Sequence, residues 1–262
     1  MSYLFSLLFI SHMNPRILNT IALLLLLSIS TFAQEFHTIE NAIRMDNGCI
    51  RLTSDKPYQR GIAYCKTKLD LSKYFEIEFD IFLGDKNELG ADGITFVIHN
   101  DSRGFRAIGT WGECMGYGRW NRGYYGGNFI APSIAVEFDT YQNYRQNDPA
   151  CDHVAYLENG TNFHKVYYNN KDSKFNLEDG SLHNFRFRWE PQIKKVTVYL
   201  DNVIVHEGTR DLIKDIFQGQ TKAIWGFTAS TGNKHNLQFF CLRRWATTKP
   251  STKPTTQQTR VR

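Results

Sequence analysis

The sequence has no Cys-x-x-Cys pair, no Gly-x-Ser-x-Gly and no His-Glu-x-x-His. The first absence argues against a cysteine-held zinc site. The other two remove common serine-hydrolase and zinc-protease signatures. No internal repeat is present, and helical periodicity is missing apart from one short turn at "RDLIKDIFQG". Net charge is also missing once it is located. The chain of 262 residues carries a formal +5, but Arg16 is the only charged residue in 1–33, and Lys249, Lys253, Arg260 and Arg262 are the only ones from Thr247 onward. Residues 34–246 therefore hold 26 basic against 26 acidic side chains, which argues against a nucleic-acid-binding domain.

Two segments stand outside the fold. "MNPRILNTIALLLLLSISTFAQ" (13–34) has one arginine, an apolar stretch and small residues near a cut before Gln34, the pattern of a secretory signal peptide. Translation from Met13 would leave residues 1–12 upstream. An uncleaved anchor is the alternative, but the apolar stretch falls short of the roughly 20 residues a span needs. The expectation is a secreted or cell-surface protein with no membrane span in the mature chain. "TTKPSTKPTTQQTRVR" (247–262) reads as a Thr/Pro/Lys-rich disordered tail. Five cysteines in an exported chain predict disulfides with one thiol left over, and Cys49 and Cys65, flanking what reads as a hairpin, are the first candidate pair.

What fills residues 34–246 is strand after strand. In "YFEIEFDIFLG", Phe75, Ile77, Phe79, Ile81 and Leu83 alternate with acids, as in a half-buried strand. "HNFRFRWE" alternates Phe185, Phe187 and Trp189 with arginines, and "KVTVYLDNVIVHEG" places Asp201-Asn202 at the turn of a hairpin. "AIWGFTAST" and "LQFFCLRRW" add two more strands. The aromatic content of 14% suits a β-rich core. The fold class is an all-β sandwich in a single domain.

One strand carries an unusual load. In "SIAVEFDTYQNYRQNDPACDHV", Glu137 and Asp139 are two apart and so share a face of the strand. Tyr141, Asn143, Asp148 and His153 follow. Like charges this close repel unless solvent, a basic partner or a metal compensates. Asp139, Asn143, Asp148 and the Tyr141 carbonyl offer hard oxygen ligands, which suit calcium. Glu137, Asp139, Asp148 and His153 offer the carboxylate–imidazole mixture of a transition ion. A solvated acidic face is the competing interpretation of the acids alone.

The register of all six positions, with Pro149 after Asp148, resembles the metal-binding segment of the legume-type (L-type) lectins, of concanavalin A-like jelly-roll fold. The resemblance implies calcium held by Asp139, Tyr141, Asn143 and Asp148, and a transition-metal ion such as Mn2+ held by Glu137, Asp139, Asp148 and His153. "GADGITFVIHND" is similar to the family's Ala-Asp-Gly strand, implying a cis Ala91–Asp92 peptide and Asp92 as principal sugar acceptor. "IGTWGECMGYG" resembles its glycine-rich loop, implying a backbone N–H near Gly112 and Glu113 for the sugar. "WGFTASTGNKHN" resembles its last strand and specificity loop, implying Gly232, Asn233 and Lys234 along the site. The likeness covers nearly all of 34–246 and leans toward the bacterial exported branch.

The implied function is non-catalytic glycan binding, in which metals hold Asp92, Asn143 and Tyr141 in place beforehand. Vicinal hydroxyls would bond Asp92 and Asn143, and Tyr141 would stack on the ring. A glycoside hydrolase of the same fold needs a second acid on the strand, and Tyr141 stands where that Glu would be. An adhesion module without sugar binding is the other alternative. His99, His164 and His183 read as ordinary strand or loop residues. Oligomers remain open.

Overall fold

A computed structural model describes residues 34–120, 127–164, 166–172 and 174–249. The signal-like segment 1–33 and the tail from residue 250 lie outside the described residues. Strands are numbered in chain order. The first sheet runs β1 (Phe36–Glu40), β4 (Arg60–Cys65), β13 (Lys222–Ser230), β7 (Gly93–His99), β8 (Ser133–Asp139) and β9 (His153–Glu158), with β5 (Leu69–Asp70) paired to β13. The second runs β12 (Val203–Thr209), β11 (Lys195–Leu200), β10 (His183–Glu190), β6 (Phe75–Phe82), β14 (Gln238–Ala246), β3 (Ile50–Thr53) and β2 (Ile43–Arg44). All pairings within these sheets are antiparallel, giving a jelly-roll sandwich.

The alternation visible in the sequence decides which residues meet between the sheets. Phe75, Ile77, Phe79 and Ile81 of β6 are buried with Phe185, Phe187 and Trp189 of β10. Phe79 sits among the rings of Phe96, Phe185, Trp225, Phe227 and Phe240, with centroids 4.8–6.0 Å away. Burying one such side chain contributes about 1.5–3 kcal/mol. Glu76 departs from the half-exposed pattern at 2% exposure, held by the Arg188 and Arg244 guanidiniums across the neighbouring strands. The predicted hairpin forms between β11 and β12, with Asp201 and Asn202 at φ 49° and 65° as a two-residue primed turn requires. The predicted helical turn is a single π-helical turn, Leu212–Ile216, capped by the Asp211 carboxylate.

A second apolar cluster covers the outer face of the first sheet. Tyr64, Val97, Ala135, Ala155 and Leu157 pack there against Ala107, Tyr117 and Ile130 from the long 100–132 connection. That connection is pinned. Arg103 binds Asp101 and the Ile108 carbonyl, and Tyr117 Oη lies 3.0 Å from Ser133 Oγ while accepting the Gly160 N–H. The outward-facing side chains of β8 are therefore covered rather than solvated.

The cysteines pair differently from expectation. Cys49 is bonded to Cys241, while Cys65, Cys114 and Cys151 are thiols, so one disulfide forms rather than two. Cys49 and Cys65 do not flank a hairpin, because β3 and β4 belong to different sheets. Instead β3 pairs with β14, and the register Ile50↔Phe240 brings Cys49 beside Cys241. Closing so long a loop is expected to stabilise by about 2–4 kcal/mol. Peptide mapping without reduction should recover a Cys49–Cys241 link. The Cys49→Ala/Cys241→Ala double variant should lose about that much stability in denaturant titration.

Candidate functional site

The site lies where β7 begins, β8 ends and β9 begins. The register pairs Gly93 with Asp139 and Asp139 with His153. On β8, Ile134, Val136 and Phe138 enter the main core, which turns Glu137 and Asp139 to the covered outer face. They are 1% and 2% exposed, so the solvated-face interpretation does not hold. Burial first, and mutual repulsion second, raise Asp139 well above the usual carboxylate range. Asp148 is pushed up to about 7 by burial and by Glu137, and burial raises Glu137 as well. Burial lowers His153 to about 3, leaving its imidazole neutral.

The loop after β8 wraps around these acids. Asp139 Oδ1 accepts the Tyr141 N–H at 2.8 Å and Asp148 Oδ2 accepts the Asn143 N–H at 2.7 Å. The other atoms are left over. Asn143 Oδ1, Asp148 Oδ1 and His153 Nε2 are buried without a hydrogen-bond partner, and Glu137 Oε1 faces the His164 imidazole, with Nδ1 at 3.0 Å. Each is a lone-pair acceptor, and buried acceptors without donors are costly. Lone pairs gathered this way are the ligand set a cation would take. Asp139, Asp148 and His153 offer ligand atoms within 4.8 Å of one another, as do Glu137, His153 and His164. The donors therefore fit both groups named from the sequence: calcium on Asp139, Asn143, Asp148 and the Tyr141 carbonyl, and a transition ion on Glu137, Asp139, Asp148 and His153.

Above the acids runs an open groove of about 770 Å³. It gathers all eight residues that the sequence nominated for sugar: Asp92, Gly112, Glu113, Tyr141, Asn143, Gly232, Asn233 and Lys234. The Ala91–Asp92 peptide is cis. Asp92 is 5% exposed and its Oδ2 has no partner, with Gly112 and Gly232 on either side; a Cβ on either glycine would come within 3.9 and 3.8 Å of it. Burial, then the charges of Glu113 and Asp148, raise the Asp92 carboxyl to about 8. Its main chain is locked, with N–H donated to Ser230 O and the carbonyl accepting the Thr140 N–H.

Three details differ from the expected roles. The Gly112 N–H donates to Ser230 Oγ at 2.8 Å, so it is already engaged. The Glu113 carboxylate accepts from Gln146 Nε2 at 3.1 Å and lies 3.6 Å from Arg145, tying the glycine-rich loop to the metal loop. Lys234 donates to the Glu88 carbonyl and stands 4.9 Å over the Tyr141 ring, while Asn233 accepts from Tyr58 Oη.

Sequence reasoning missed several lining residues. Tyr58, Trp111, Trp120, Arg145 and Thr231 also face the groove. Trp111 is 48% exposed with the Arg60 guanidinium 4.8 Å from its ring centroid. Exposed aromatics in glycine-rich loops were the available signal. His164 was the larger omission, since it is 4% exposed with Nδ1 3.0 Å from Glu137 Oε1.

A jelly-roll sandwich with a cation-ready loop beneath an open groove defines a lectin-like β-sandwich. The legume lectin β-barrel domain profile matches residues 27–244, and the chain belongs to that L-type lectin family. Solved structures agree on the fold. Peanut lectin has a TM-score of 0.62 and 22% identity, over 83% of this chain and 92% of that one. The lectin from Bauhinia forficata in complex with GalNAc gives 0.61 and 16%, over 80% and 90%. Arcelin-5, a lectin-like defense protein from Phaseolus vulgaris, gives 0.60 and 16%, over 81% and 91%.

The acids set a pH rule for the metal-free protein. Asp148 and Asp92 titrate near 7 and 8 when folded, above the roughly 3.9 of an unfolded Asp. Between those values each of these two carboxyls holds more protons folded than unfolded, while the buried neutral His99 and His153 work the other way only below about 6.5, so stability should fall as pH rises from about 6.5 to 8. Thermal unfolding in chelator should give a lower Tm at pH 8 than at about pH 6.5, and calcium should stabilise most at pH 8. Asp139→Asn should raise the chelator Tm at pH 8 by about 2–4 °C, roughly 1 kcal/mol, and remove most of the calcium increment.

Proposed function

We propose that the protein is an exported, calcium-dependent lectin that binds glycans without cleaving them. The carrying observation is Asp92: a buried carboxylate oxygen with no partner, at the floor of an open groove and next to the cation-ready loop. Asp92 accepts hydrogen bonds from two sugar hydroxyls, and the Asn143 side chain adds a third. Trp111 and Tyr141 give the apolar face of the ring a flat surface. Asp139, the Tyr141 carbonyl, Asn143 and Asp148 would hold calcium, whose charge would fix the loop that carries Tyr141 and Asn143 and so lower the ordering cost of binding.

Non-catalytic action is supported by where the strand acids sit. Glu137 and Asp139 lie beneath the groove at 1% and 2% exposure and are not among its lining residues, out of reach of a glycosidic oxygen. Export is supported by the 13–34 signal pattern and by the Cys49–Cys241 disulfide, which persists in oxidising compartments. Among the described residues no helix is long and apolar enough to cross a membrane. A single open site binds one monosaccharide at about millimolar Kd, near −4 kcal/mol. Useful avidity then comes from several sites meeting a multivalent glycan.

The test is a glycan-array screen of the purified protein, with calcium and again with chelator. Binding should appear with calcium and vanish with chelator. Asp92→Asn should weaken it by about 10–100-fold while leaving the calcium-dependent Tm shift in place, as the loss of one or two hydrogen bonds to a carboxylate that calcium on the neighbouring Asp148 would keep ionised predicts. Silence from folded, calcium-loaded protein would favour the adhesion-module reading.

A further inference from the structure

The Glu137 end of the cluster holds an imidazole outside the set read from the spacing. His164 follows β9 by way of a tight return, with Asn159 and Gly160 at φ 55° and 74°. Its backbone is anchored on both sides of the site. Asn162 donates to Glu137 Oε2 at 3.3 Å, and Asn147, from the loop after β8, donates to the His164 carbonyl at 2.9 Å. The ring is fixed through Nδ1, 3.0 Å from Glu137 Oε1 and 3.1 Å from the Asn162 carbonyl. Nε2 is buried with no partner. The His153 and His164 rings lie 4.7 Å apart, with Tyr167 edge-on to both at 5.7 and 5.9 Å.

A structural His164–Glu137 ion pair explains only part of this. It would satisfy one carboxylate oxygen, leave His153 Nε2 and Asp148 Oδ1 without donors, and leave the His164 Nε2–H without an acceptor at the same place. Nothing in an ion pair requires two imidazoles in contact. A cation between Glu137, His153 and His164 engages all three residues, whose ligand atoms lie within 4.8 Å of one another. The chemistry of the donors then decides which ion. Carboxylates, carbonyls and water suit Mn2+, whereas imidazoles favour Zn2+ and its neighbours.

We infer that His164 is a second imidazole ligand of the transition-metal position, and that this position selects Zn2+ over Mn2+. The inference rests on the metal-binding reading of the acid cluster. It adds a residue that changes the ion, and it is independent of whether the groove binds sugar. Glu137 and His153 lie with His164 in one ligand-distance group, Asp139 and Asp148 lie in a second group that shares His153, and Asn162 sets the His164 ring orientation from behind.

The experiment uses the full exported chain, stripped with chelator and reloaded with calcium. Calorimetric titration with Zn2+ and with Mn2+ compares the wild type with His164→Gln. The expected result is a loss of at least about tenfold in Zn2+ affinity, with Mn2+ affinity changed by less than about threefold. Should the variant fold poorly, the wild type alone remains decisive. Cu2+ placed in the site should give pulsed-EPR echo modulation from two imidazoles. A single imidazole in the wild type, or unchanged Zn2+ affinity in a folded variant, overturns the inference. If calcium raises Tm but no transition ion binds, His164 is structural and the lectin reading survives. If neither ion binds, both fail together.

Discussion

The structure turns on one electrostatic constraint: Glu137, Asp139 and Asp148 share a buried region, and among the described residues their ion-pair partners are the imidazoles of His153 and His164 rather than a lysine or arginine. Carboxylates excluded from water need protons, cationic side chains or metal ions. The pattern of leftover atoms favours metal. Asn143 Oδ1, Asp148 Oδ1 and His153 Nε2 are unpartnered, while one oxygen each of Asp139 and Asp148 accepts a loop N–H group. The loop that bends around the acids also carries Tyr141 and Asn143 into the groove. Charge balance below and geometry above are one problem.

The neighbouring elements extend that coupling. Thr140 reaches the Asp92 carbonyl through both its N–H and its hydroxyl, so the strand end bearing Asp139 is tied to the peptide bearing Asp92. Glu113 accepts from Gln146, which ties the glycine-rich loop to the same turn. Ser230 takes the Gly112 N–H and, through its carbonyl, the Asp92 N–H. The groove floor is therefore held by three segments that meet at the acid cluster. An open groove gains from such preorganisation, since any ligand it takes then meets groups that are already ordered.

Much of this was legible in the sequence because it is local. The two-residue period of β6, β10 and β8 fixed which side chains face the core, and the Asp201-Asn202 turn announced its hairpin. Glu137 to His153 were readable because a strand end and one loop carry them all. What failed was long-range. The Cys49–Cys241 bond depends on β14 lying beside β3, which no spacing between 49 and 65 reveals. His164 joins the cluster through a return after β9 that places its ring beside Glu137. Trp111 and Tyr58 reach the groove from loops whose course is set by tertiary contacts such as the Arg60–Trp111 stack.

The central claim is that cations at the acid cluster order the groove. Hydrogen–deuterium exchange with and without calcium tests it most directly. The account predicts that calcium slows exchange in residues 139–148 and 91–93, while β10, β11 and β12 on the other sheet change little. Equal exchange in the two conditions, or a uniform shift across both sheets, would contradict it.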